Sequence, residues 1–205
     1  MANSKKQNKI LRYFTVSIVP DIISAVFILA GAFIYYYAWQ IWVLATPLLL
    51  IGIAGLIVNY AFKISEQAFT DYFTKKFEGM PKERGVEPEV VYTEYSFEGN
   101  TYAKTDKLGA PRSEICVRTV IYFDKQLKVV SGSVNAVTEE LTNTVCSFEH
   151  ARAEVNNTET KIKDSTKKLA VMTITDGSQS ISFPVKYNDI EVDQFIERLN
   201  KRYAE

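Results

Sequence analysis

The sequence predicts an α+β membrane protein: an N-terminal transmembrane helical hairpin, then a mainly antiparallel β domain of about seven strands closed by a C-terminal amphipathic helix. Three observations carry this. Between Ile22 and Phe62 there is no Asp, Glu, Lys or Arg. From Glu89 onward the apolar period becomes twofold, as in half-buried strands. From Asn188 to Tyr203 the period returns to helical.

The uncharged stretch holds two apolar runs, Ile22–Ala38 and Ile41–Phe62, with little between them but Trp39 and Gln40. A bilayer core about 30 Å thick takes roughly 20 apolar residues per helix, so this length suits two crossings. Before it, residues 1–12 carry Lys5, Lys6, Lys9 and Arg12 and no acid. The run continues directly into a second span, so no cleaved leader is expected. Basic flanks stay cytoplasmic, and Lys63, Lys75 and Lys76 after the second span agree; both termini are therefore expected in the cytoplasm of a cell (inner, cytoplasmic) membrane. The aromatic corner from Tyr35 to Trp42 then falls at the opposite interface.

Pro20-Asp21 interrupts an apolar run that begins at Tyr13. Either an interfacial segment ends at Val19 and the span starts at Pro20, or one helix runs through and draws Asp21 below the surface. A charge at the bilayer centre costs roughly 2.5–3.5 kcal/mol on insertion scales, so Asp21 is expected to contact Asn59 or Lys63, which a hairpin brings beside it. Leu48, Gly52, Gly55 and Asn59 share one helix face. Gly52 and Gly55 on that face would admit either the first span or a second copy of the chain, giving a homo-oligomer.

Domains are expected at residues 1–62 (basic N-terminus and hairpin), 63–88 (connector) and 89–205 (β domain). In the connector, Ala68, Phe69, Tyr72, Phe73 and Phe77 recur at helical spacing among charges. This amphipathic helix could lie on the membrane surface or pack on protein. Met80–Pro88, with two prolines and Gly85, reads as a linker. The expected strands are Glu89–Phe97, Glu114–Phe123, Gln126–Val134, Leu141–Phe148, Ala153–Asn157, Lys168–Asp176 and Gln179–Val185, with turns at Asp124-Lys125 and Asp176-Gly177-Ser178. Asn188 or Asp189 can cap the last helix, whose apolar stripe is Val192, Phe195, Ile196, Leu199 and Tyr203.

The order of elements resembles a pleckstrin-homology-like (PH-like) fold, and in particular bacterial membrane proteins of the YcxB-like kind, which set a two-helix anchor before such a domain. The closest likeness is over Lys168–Arg202, where strand, Asp-Gly turn, strand and amphipathic helix follow in sequence. The long Asn100–Arg112 insert departs from a compact version. The resemblance implies a membrane-associated binding or scaffold module and carries over no site residues.

Composition narrows function further. Residues 86–205 hold 15 Lys plus Arg against 19 Asp plus Glu, which argues against nucleic acid as partner. His150 is the single histidine, next to Glu149, Arg152 and Glu154, and reads as part of a solvated charge patch. No Gly-x-Ser-x-Gly elbow, Walker loop or Gly-x-Gly-x-x-Gly occurs, and Cys116 and Cys146 lack metal-ligand spacing and read as free thiols. We therefore expect no enzyme, metal or cofactor, but a non-enzymatic cytoplasmic binding or scaffold module held at the lipid bilayer, with a protein partner. The alternatives are lipid-headgroup recognition and an immunity-type membrane protein. For headgroup recognition the candidates are Lys104, Lys107 and Arg112 on a polar loop, offset by Asp106 and Glu114.

Overall fold

The computed structural model describes residues 9–15, 19–83, 85–99, 102–106, 108–162 and 165–203, without the side chains of Lys9, Trp39 and Phe62. Lys5, Lys6 and Lys107 lie outside them. The chain divides into two compact units, Met1–Phe69 and Thr70–Glu205. The boundary falls inside the connector.

In the first unit a short helix α1 (Arg12–Thr15) precedes α2 (Val19–Tyr37) and α3 (Trp42–Phe62), with a 3-10 turn at Trp39–Ile41 between the long pair. At 1.5 Å per residue, 19 and 21 residues give helices of roughly 28 and 32 Å, enough to cross a hydrocarbon core. Pro20 sits in the first turn of α2, where a missing N–H costs nothing, and Asp21 lies in that same turn. The two helices are long and apolar enough to span a membrane.

α3 ends where Lys63 turns to extended backbone, φ −75° and ψ 129°, and Ser65 starts the next helix. Its Oγ accepts the Ala68 amide at 3.1 Å and its carbonyl the Phe69 amide at 3.0 Å, capping a new helix α4 (Glu66–Phe77). Phe69 stacks on Tyr13 with ring centroids 4.0 Å apart, tying the start of α4 to α1. The rest of α4 belongs to the second unit. There Phe73 and Phe77 are buried, Phe73 meets Tyr95 edge-on, and Lys76 donates to the Glu139 carbonyl at 2.9 Å. So the aromatic face of the connector packs on protein. Met80, expected in a linker, is buried too, because Gly132 leaves room for its thioether.

Among the described residues the second unit contains nine strands rather than the seven expected. A four-stranded antiparallel sheet has the order β1 (Val90–Ser96), β4 (Ile115–Phe123), β5 (Leu127–Asn135), β6 (Leu141–Phe148). A three-stranded antiparallel sheet follows as β7 (Arg152–Ile162), β8 (Ser165–Thr175), β9 (Ser180–Val185). The additional pair, β2 (Ala103–Thr105) and β3 (Pro111–Ser113), forms a hairpin from what the sequence suggested was a polar loop. The strand expected at Ala153–Asn157 extends to Ile162; its polar half pairs with Ser165–Ala170 and exposes many of its side chains. α5 (Ile190–Tyr203) ends the described chain.

Val192, Phe195, Leu199 and Tyr203 of α5 enter the core, with Ile196 packed at its margin. Asp189 is the cap: its Oδ1 accepts the Glu191 amide at 3.0 Å, while Asn188 takes a positive φ of 54°. Asn200 fastens the helix to β7 as a strand would, donating Nδ2 to the Ala153 carbonyl at 3.0 Å and accepting the Ala153 amide on Oδ1 at 2.7 Å. The Tyr203 hydroxyl donates to the Asp124 carbonyl at 3.1 Å. Cys116 and Cys146 are free thiols.

Candidate functional site: a cleft between the two sheets

Cross-strand partners in an antiparallel sheet point to one face, so the inner face of the four-stranded sheet can be read in rows. At the α5 end the rows are Phe123, Leu127, Phe148 and then Val90, Ile121, Val129, Cys146. These are core residues. The next row is Tyr92, Thr119, Ser131, Thr144, and the one after it Glu94, Val117, Ser133, Thr142. Halfway along the sheet, apolar filling gives way to hydroxyls and a carboxylate.

The three-stranded sheet opposite stays apolar further. Its inner rows run Ala153, Ile174, Ile181; then Val155, Met172, Phe183; then Asn157, Ala170, Val185, before Glu159 pairs with Lys168. Where the first wall has turned polar and the second keeps Ala170, Phe183 and Val185 beside Glu159 and Lys168, the sheets flank a cleft of about 860 Å³. Its lining includes Glu94, Ser131, Ser133, Thr142 and Thr144 on one side, and Ala170, Phe183, Val185 and Lys168 on the other. Arg112, Lys186 and Tyr187 line it as well. This volume lies within the range of small-molecule pockets, about 300–1,000 Å³.

Glu94 is the one carboxylate in the polar row. Burial pushes its carboxyl above the ordinary range; Arg112 and Lys186 pull it back, and Asp189 adds to the rise. It makes no hydrogen bond among the described residues. Tyr92, two residues earlier on the same face, has a buried hydroxyl without a partner among the described residues. Burial is also the main reason its pKa rises to about 12, with Asp189 adding to it. The Thr119 and Ser131 hydroxyls bond each other at 3.0 Å.

The residues singled out from sequence are dispersed. Lys104 and Arg112 are direct cross-strand partners in the β2–β3 hairpin, so that pairing brings them together. Arg112, however, already holds Asp106: its Nη2 and Nε reach Oδ2 at 2.8 and 3.1 Å. Asp106 is buried and also accepts the Leu108 and Ala110 amides on Oδ1 at 2.9 and 2.8 Å. Burial alone would raise the Asp106 carboxyl, but the Ala110 amide, the Arg112 guanidinium and the Leu108 amide together hold it below the ordinary value. The cationic charge that a phosphate would need at Arg112 is thus met from within the hairpin. Lys107 lies outside the described residues.

In the first unit, Asn59 Nδ2 donates to Asp21 Oδ1 at 2.6 Å across the hairpin. Lys63 is exposed, and the contact falls to the amide instead. Gly52 and Gly55 face α2 of the same chain: a Cβ on Gly52 would lie 2.6 Å from Ile28 Cγ1 and 2.7 Å from the Ser24 carbonyl, and one on Gly55 would collide with Ser24 Oγ. That face packs on α2 of the same chain.

His150 lines a shallower groove of about 580 Å³ with Arg152, Asp176 and Asn200. Backbone and side-chain donors from Gln179 and Ser178 lower the Asp176 carboxyl to about 2, so its charge serves the turn.

The cleft itself was missed in the sequence. Its signal is there in Ser131-Gly132-Ser133 and Thr142-Asn143-Thr144, two hydroxyls at period two where a core strand would carry two apolar side chains. The chain matches no family model, no curated protein and no solved structure.

Proposed function

We propose that this protein is a membrane-anchored binding module: α2 and α3 hold it in a bilayer, both termini are cytoplasmic, and the β domain works by binding rather than by catalysis. The observation that carries the reading is the outer surface of the hairpin. Leu29, Phe33, Leu44, Leu50 and Ile57 are each more than 60 % exposed, on helices with no charged residue from Ile22 to Phe62. An apolar surface of that extent is covered by lipid or protein in any stable state, and helices apolar all round are characteristic of spans.

The β domain fits a PH-like module of the YcxB-like kind in its order: a four-stranded meander, a three-stranded meander, then one helix in the core. The cleft between the sheets gives such a module a place to bind, whereas headgroup recognition at Arg112 is weakened by the Asp106 contact. Washing native membranes at alkaline pH and blotting pellet and supernatant tests the anchor. The protein is expected in the pellet; release into the supernatant would contradict it. Crosslinking in those membranes before purification then tests the scaffold role, for which a stoichiometric protein partner is expected.

A further inference from the structure

We propose that the cleft between the two sheets is a binding site for a small neutral polyol, such as a monosaccharide or a cyclitol. The proposal rests on the binding-module reading and names its ligand class. The walls make the case. One wall presents Ser133, Thr142 and Thr144 beside Glu94, none of which makes a side-chain hydrogen bond among the described residues. Hydroxyls both donate and accept, and a carboxylate accepts from two neighbouring hydroxyl groups. The facing wall offers Ala170 and Val185, a contact surface for C–H groups. A ring with a hydroxyl edge and an apolar face matches both walls at once.

Charge excludes the nearest alternatives. The lining sets Glu94, Glu98 and Glu159 against Arg112, Lys168 and Lys186, so an anion would meet three carboxylates. A cation would meet a site where Arg112 and Lys186 already act on that carboxylate. A neutral ligand avoids both conflicts, and it leaves the Arg112–Asp106 and Lys186–Asp189 pairs intact.

Saturation-transfer NMR on the full-length protein in a zwitterionic detergent, free of sugar headgroups, tests the proposal. The probes are glucose, N-acetylglucosamine and myo-inositol, with glucosamine and glucuronate as charged counterparts. At least one neutral probe is expected to bind, and more tightly than either charged counterpart. Glu94→Gln and the double variant Ser133→Ala with Thr144→Val are each expected to weaken it tenfold or more. Glu154→Gln, on the other face of β7, serves as the unchanged control. These substitutions are close to isosteric, and unchanged unfolding midpoints establish that the variants are folded. No transfer to any neutral probe, preference for a charged one, or binding that survives either cleft variant would overturn the polyol assignment. Retention of the protein in alkali-washed membranes would in that case leave the anchored-module reading standing, whereas its release would remove that reading whatever the probes do.

Discussion

At Gly52 an added methyl group has nowhere to go, because one of its close neighbours is the Ser24 carbonyl, and backbone cannot swing aside. Overpacking of this kind costs about 1–3 kcal/mol. A polar contact between membrane helices is worth less, about 0.6 kcal/mol on average and at most about 1.7. Gly52→Ala is therefore expected to lower the thermal midpoint of the detergent-solubilised protein more than Asn59→Ala does, although Asn59 makes the 2.6 Å bond to Asp21. Scanning fluorimetry of the two variants side by side would show the order. Asp106 supplies a pH-dependent counterpart. Its pKa is depressed on folding, so its contribution is complete above the ordinary carboxylate value near 3.8 and is lost as pH falls through the lower folded value. Hydrogen exchange at the Leu108 and Ala110 amides is expected to lose protection below that ordinary value while the core amides of β4 and β5 keep theirs.

Helix α5 shows how a single polar residue can fix an element that burial alone would leave free to slide. Its apolar stripe sets which face turns inward, but Asn200 sets the register against β7 through both the N–H and the C=O of Ala153. Asn200→Ala would leave these buried groups without partners, at about 1–3 kcal/mol. A fall in the urea midpoint with an unchanged slope is the expected readout. The stripe was legible in the sequence, since helical periodicity is a strong signal over fourteen residues. The role of Asn200 was not, because nothing local to an exposed-looking Asn tells it apart from a solvated one. Likewise the β2–β3 hairpin was hidden: it is three residues per strand, with Lys104, Arg112 and Asp106 in it, and its stability comes from the buried Asp106 rather than from β-forming side chains. At α4 the helical spacing of Ala68, Phe69, Tyr72, Phe73 and Phe77 was legible, but its start was not: Ser65 reads equally as a helix residue or as a cap, and its bond to the Ala68 amide decides.

For the whole molecule, the sequence was most informative where one solvent dictates composition. Two long runs free of charge are a strong signal, so α2 and α3, each long and apolar enough to cross a membrane, could be placed to within a few residues. The cleft was invisible because it depends on which rows of two sheets face each other, and pairing register is not written in any one strand. The proposed anchor and the cleft together define the account we propose: a binding domain held at the cytoplasmic face of a membrane. Cysteine labelling in intact cells tests that claim most directly. On a Cys146→Ser background, cysteine is introduced either at Tyr36, in the last turn of α2 and 80 % exposed, or at Leu108, which is 93 % exposed in the β domain. A membrane-impermeant maleimide is expected to label Tyr36→Cys in intact cells and Leu108→Cys only after the cells are opened. Labelling of Leu108→Cys from outside would put the β domain on the other face of the membrane and contradict the account.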